Sequence, residues 1–176
     1  KNLQNELANG RLWVDRSIVL AYAMAAGLSV VAFTLLADWA FAQFERILHW
    51  QGGWAVLVWT PACTAAIVWA TRRFAPGAAG SGIPQVMAAL DPAVDDTQRS
   101  RFVSLRLTVA KIVLGGAGFL AGLSIGREGP SVQVAAGVMQ HARRWLGPHS
   151  GITGHGLLVA GGAAGIAAAF NAPLAG

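Results

Sequence analysis

Residues 17–44 carry a single charged side chain, Asp38, and that stretch constrains the fold more than any other feature. At 1.5 Å per residue, about 20 helical residues cross a 30 Å hydrocarbon core, so the stretch spans a bilayer even when tilted. It is too long for the roughly 7–15-residue apolar core of a cleaved signal peptide. The rest of the chain agrees. It is 55% hydrophobic and 12% charged, where soluble domains carry roughly 25% charge. Disorder is excluded by the high hydrophobicity, and an ordinary soluble domain by the shortage of polar surface. Lys1 in place of Met, and an abrupt stop at Asn171-Ala-Pro-Leu-Ala-Gly176, read as a fragment.

Residues 1–16 are polar and mixed in charge, with Leu3, Leu7 and Leu12 placed for an interfacial amphipathic helix. After the first span, 45–53 reads as a short loop and 54–71 as a second span, with Pro61 near its start and Arg72-Arg73 closing it. Trp13, Trp39, Trp50, Trp54 and Trp69 fall near the span ends, where aromatic belts lie. Lys1, Arg11 and Arg16 precede the first span, Arg46 follows it, and Arg72-Arg73 follow the second. The positive-inside rule therefore predicts a cytoplasmic N-terminus. The same bias accounts for the net charge of +5. The basic residues are scattered, so nucleic acid is not an expected partner.

Beyond residue 74 the pattern changes. Residues 74–84 are rich in Gly, Ala and Pro; 85–90 are too short to span; 91–101 read as a polar loop. Residues 102–123 form a third span containing Arg106 and Lys111. An Ala/Val helix follows over 131–145, a Gly/His/Ser loop over 146–156, and a Gly/Ala helix over 157–170 suited to close packing in lipid. Asn171-Ala-Pro173 ends that helix, and a new one is expected at Pro173. Hydrophobic segments broken by Gly and Pro point to a transport site at mid-membrane depth.

Two breaks share one design. Gly80-Ser-Gly-Ile-Pro84 and Gly126-Arg-Glu-Gly-Pro130 both place glycine ahead of a proline and a helical stretch. Proline favours the first helical position, so each motif predicts a helix start. A helix N-terminus offers unpaired N–H groups and about half a positive charge, and glycine lets an ion approach them. The product is an anion site made of backbone dipoles. Gly/Pro loops between spans would carry the same residue types, and Ser81 is equally readable as a helix cap or as a hydroxyl for an anion. Glu128 is the last acid in the chain. A carboxylate at membrane depth is costly and functional by default. At a helix N-terminus it would occupy the anion's own position and leave when protonated; its bland alternative is a salt bridge to Arg127. Arg106 sits at a span end and can snorkel. Lys111 lies deeper, either raising the potential along an anion path or pairing with an acid.

Other chemistry finds no support. Cys63 is alone, so no internal disulfide or CxxC site forms. His49, His141, His149 and His155 lack zinc-ligand spacing and read as loop residues, and no metal is expected. Gly116-Ala-Gly-Phe-Leu-Ala121 fits a dinucleotide fingerprint but lacks its strand–helix context. Gly161-Gly-Ala-Ala-Gly165 lacks the Lys-Ser/Thr of a P-loop. No nucleophile constellation appears, so an enzyme is not expected.

With these residues in place, the chain resembles the CLC family of chloride channels and chloride/proton antiporters over about residues 17–176. Gly80–Pro84 is similar to the family's first anion motif and Gly126–Pro130 to its second, with Arg127 where some members carry Lys. Lys111-Ile-Val-Leu-Gly-Gly116 and Ala163-Ala-Gly-Ile-Ala-Ala-Ala-Phe-Asn-Ala-Pro-Leu-Ala-Gly176 resemble further family segments. The resemblance implies an all-α, polytopic membrane protein with broken and re-entrant helices, the first half of an inverted-repeat fold. Residues 1–16 would form a cytoplasmic or interfacial segment and 17–176 the N-terminal half of the transmembrane domain.

It implies chloride held by Ser81, Gly82, Ile83, Gly126, Arg127 and Gly129. Gly80, Pro84, Lys111 and Pro130 would support the helix starts and the pathway. Glu128 would be the gate and, in antiporters, the outer proton carrier. Ser81, where nitrate-selective relatives carry Pro, favours chloride. A homodimer in the bacterial inner membrane follows, with protons as co-substrate in an antiporter and no cofactor beyond bound chloride. A voltage-gated channel is the other mode of the same family. The alternatives are a carrier for another small anion, or a truncated or accessory membrane segment that conducts nothing itself.

Overall fold

The computed structural model describes residues 10–147, 150–172 and 174. Residues 1–9 of the interfacial helix expected over 1–16, His149 and the helix start at Pro173 lie outside the described residues. Among the described residues every regular element is helical. They are α1 (Gly10–His49), α2 (Trp54–Phe74), α3 (Ile83–Leu90), α4 (Asp96–Phe102), α5 (Leu105–Leu120), α6 (Glu128–His141) and α7 (Gly154–Phe170), with 3-10 turns at Trp50–Gly53, Pro76–Ala78 and Ala142–Arg144.

Among the described residues three segments are long and apolar enough to cross a membrane: Gly10–His49, Trp54–Phe74 and Thr97–Leu120. The first runs about 60 Å at 1.5 Å per residue, twice the hydrocarbon thickness, and continues unbroken across positions 16 and 17. The expected loop over 45–53 is smaller than the sequence suggested. Helix α1 persists to His49, and one 3-10 turn leads to Gly53, which takes a left-handed φ of 84°. The polar stretch 91–101 is not all loop either. Asp95 accepts from Gln98 N–H and starts α4, and Arg99 Nε donates to Ala89 O at the end of α3, 2.8 Å away. Cap and clamp together order a segment that is too polar to show an apolar period. The third span is interrupted: α4 ends at Phe102, and Ser104 caps α5 by accepting from Leu107 N–H.

The centre is α6. Ten of its fourteen residues are buried, so it is the axis on which the other helices pack. Helix α7 lies antiparallel to it at very short range. A Cβ at Gly161 would fall 2.7 Å from Ala136 Cα, and one at Gly165 2.7 Å from Val132 Cα, so only glycine admits this approach. Small residues substitute here for the hydrophobic effect, which lipid does not supply between helices. Helix α5 runs parallel to α1, with Phe33 over Gly115 and Leu36 over Gly116. Helix α6 runs the other way, Tyr22 meeting His141 at one end and Asp38 meeting Arg127 at the other. Helix α2 has no buried residue and joins the bundle by hydrogen bonds from Trp59 Nε1 to Leu120 O (3.0 Å) and Thr60 Oγ1 to Ala121 O (2.8 Å).

Candidate functional site

Both Gly/Pro breaks start helices. Pro84 and Pro130 sit in the first turns of α3 and α6, though at the second and third positions rather than the first. The i→i−4 ladders begin with Val86 N–H donating to Gly82 O and Ser131 N–H donating to Arg127 O. The N–H groups of Ile83, Glu128 and Gly129 therefore precede the ladders, as the first turn of any helix requires.

The two starts touch. A Cβ at Gly129 would lie 2.6 Å from Ser81 O and 2.9 Å from Ser81 Cβ. Gly82, at φ 101°, is buried against Gln133 and Gly129 O, with 2.8 and 3.0 Å to a hypothetical Cβ. This left-handed turn brings Ser81 to the surface of a cleft of about 730 Å³ between α2, α5 and the two helix starts. Gly80, Ser81, Ile83, Lys111, Gly126, Glu128, Gly129 and Pro130 all line it. Gly82 lies beneath. Pro84 is exposed on α3 and is not among the lining residues.

Among the described residues Lys111 pairs with no acid. It is 4% exposed, and its Nζ donates to Ala78 O at 2.8 Å and Gly80 O at 2.6 Å. The ammonium thus covers the carbonyls of the loop leading to Ser81, whose negative ends would otherwise oppose an anion. Arg127 departs further from expectation. Its guanidinium turns to Asp38 Oδ1 at 2.7 Å and lies 5.9 Å from the Phe119 ring centroid, so it is not the partner of Glu128. The Glu128 side chain instead folds back over Gly126, its Oε2 2.7 Å from where a Cβ at that glycine would be. The carboxylate therefore stands at the mouth of the cleft, unlocked by the neighbouring arginine.

Gln133 escaped the sequence reading, and Asp38 was read only as the one charge of the first span. Gln133 Nε2 donates to Gly77 O (3.0 Å) and Phe102 O (2.9 Å), tying α6 to the chain on both sides of α3. Asp38 anchors Arg127. The available signal was a polar side chain inside an apolar helix, which is costly unless paired. The three described histidines are helix-end residues rather than loop residues: His49 and His141 end α1 and α6, and His155 lies in the first turn of α7. Among the described residues no cluster of metal-ligating side chains forms.

The family profile described as "Voltage gated chloride channel" matches residues 63–176. The H(+)/Cl(-) exchange transporter ClcA of Citrobacter koseri is 38% identical over 157 residues, covering 85% of this chain and 32% of the relative. That of Klebsiella pneumoniae subsp. pneumoniae is 38% identical over 158 residues, covering 86% and 32%. That of Yersinia pestis bv. Antiqua is 35% identical over 175 residues, covering 92% and 35%. The chain spans about a third of the length of the curated relatives it matches.

Proposed function

Because the chain belongs to the voltage-gated chloride channel family, we propose that it forms the first half of the transmembrane domain of a chloride/proton antiporter. Antiport is favoured over a channel because the relatives are named exchange transporters. The observation that carries the reading is the abutment of the two helix starts at Ser81 and Gly129, in one cleft with Glu128 at its mouth. In this reading residues 1–16 lie at the cytoplasmic interface and 17–176 in the bacterial inner membrane. The complete protein is a homodimer.

A chloride ion arriving in the cleft exchanges water for the Ser81 hydroxyl and the N–H groups near Gly82 and Ile83. Those donors carry partial charge only, so the ion is held without being trapped. The backbone of Gly126, Arg127 and Gly129 serves the outer position. The deprotonated Glu128 carboxylate competes for that outer position through the same N–H groups. A proton taken onto a carboxyl oxygen removes the negative charge and the attraction. Glu128 then swings out, chloride takes its place, and the proton is carried onward. Lys111 keeps loop carbonyls away from the ion, and Pro84 and Pro130 hold the helix starts.

The test uses proteoliposomes of the complete protein under a chloride gradient, recording chloride efflux and internal pH together. Chloride should drive protons the opposite way. In Glu128→Ala, chloride should still move while chloride-driven proton flux falls to background. Proton coupling at the wild-type level in that variant would remove Glu128 from the mechanism.

A further inference from the structure

A second cleft, of about 640 Å³, lies at the opposite end of α6 from Glu128, among α4, the start of α5 and the 3-10 turn after α6. Its lining is strongly one-signed. Arg106, Arg143 and Arg144 contribute guanidinium groups, His141 an imidazole, Ser100 and Ser104 hydroxyls, and none of the described lining residues is acidic. Arg106 and Arg144 have no ion-pair or hydrogen-bond partner among the described residues. Two unpaired arginines beside one cavity repel each other unless an anion sits between them.

The remaining lining specifies more than charge. Gln140 Oε1 is buried there without a partner among the described residues, so the cleft also holds an acceptor open to a donor. Exposed apolar side chains border the cleft. Leu105 in its lining is 40% exposed, Val109 one turn along α5 is 57% exposed, and Trp145, next to Arg144, is 66% exposed. Tryptophan in that setting marks the headgroup level of a bilayer. The cleft at the other end of the bundle makes a contrast. Ala42, Glu45, Arg46, His49 and Trp50 line it, and its arginine is balanced by an acid.

We propose that the cleft between Arg106 and Arg144 is a binding site for the phosphate group of an anionic glycerophospholipid. The guanidinium groups take the phosphate oxygens, Gln140 Oε1 accepts from a headgroup hydroxyl, and the acyl chains lie along Leu105 and Val109. Arginine suits this role because its planar fork matches phosphate oxygens in pairs. The site is independent of chloride transport. It lies at the end of the bundle that carries Arg16, which the positive-inside rule assigns to the cytoplasmic leaflet.

The test is a titration of the protein in neutral detergent with dioleoylphosphatidylglycerol, read by native mass spectrometry. Dioleoylphosphatidylcholine and inorganic phosphate are parallel probes. Phosphatidylglycerol should bind better than phosphatidylcholine, and R106Q/R144Q should weaken it about thirtyfold, the loss expected for two arginines near a lipid surface. R106K/R144K, which keeps the charge but loses the planar fork, should lose less than R106Q/R144Q, about fivefold, and guards against a trivial loss of structure. R46Q, at the opposite end, should change nothing. Undiminished binding in R106Q/R144Q, or equal losses in R46Q or R106K/R144K, overturns the site. Inorganic phosphate binding as tightly as the lipid overturns the lipid as its source.

Discussion

The two breaks have the same sequence logic and opposite mechanical character. Gly80–Pro84 is fixed from beneath. Gly82 is wedged against Gln133 and Gly129 O, Lys111 holds the Ala78 and Gly80 carbonyls, and Gln133 holds the Gly77 carbonyl just upstream. It presents one hydroxyl and backbone N–H groups. Gly126–Pro130 meets the first break at Gly129 and is otherwise tied through Arg127 and Asp38, whose side chains are 41% and 57% exposed. It presents a full carboxylate that folds over a glycine. In the proposed reading the first motif holds the ion and the second is the gate, and the difference in packing suits them to those tasks.

The strongest way to break this contrast is Gly82→Ala. A Cβ there meets Gln133 Cβ at 2.8 Å in a backbone conformation that L side chains resist. The expected cost is about 3 kcal/mol or more, seen as a lower unfolding midpoint in detergent. A stability within a few tenths of wild type would mean that the first break is not the rigid one. Lys111→Met comes next. It leaves the buried Ala78 carbonyl unpaired, at about 1–3 kcal/mol, and the part-buried Gly80 carbonyl at less, while relieving the burial of a charge, so a net loss of about 1 kcal/mol is expected. Chloride affinity measured by calorimetry should fall as well, since the freed carbonyls face the cleft.

Much of this architecture was legible. Apolar length alone located the spans around α1, α2 and α5, because lipid demands length and nothing subtler. The glycine–proline breaks announced both helix starts, since proline chemistry acts within one turn. The parts that stayed hidden depend on distant partners. Lys111 looked like a pathway charge or one half of an ion pair, and its carbonyl partners lie 33 and 31 residues away in sequence. Arg127 sits beside Glu128 in the chain and bonds to α1 instead. Helix α4 has too few residues for a period to show, and depends on a cap and on Arg99 reaching α3.

Asp38→Asn probes the mobile side. An exposed pair contributes about 0–1 kcal/mol, so the unfolding midpoint should hardly change. The function should change more than the stability. An unneutralised Arg127 beside Glu128 adds positive potential at the mouth, and chloride flux should become more sensitive to ionic strength. A destabilisation as large as that of Gly82→Ala would show that the second break is as rigid as the first, and the division of labour would fail.

The smallest effect belongs to Asp95, which lies in neither break. Its carboxylate accepts from the Thr97 hydroxyl and from Gln98 N–H, and these bonds hold its pKa below the ordinary carboxylate value of 3.8. A depressed pKa means that the unfolded chain binds the proton more readily than the folded one. The stabilisation is therefore complete above the ordinary carboxylate value and is lost as pH falls through the lower, folded one. Wild type minus Asp95→Asn, followed by thermal unfolding in detergent between neutral and strongly acidic pH, isolates this step from the other carboxylates. The difference should be flat above the carboxylate range and shrink only in strong acid, and chloride-driven proton flux at neutral pH should be the same in both proteins. A change in that flux would mean that the first break is tuned by charge outside it, through α3 and α4, and that its rigidity does not isolate it.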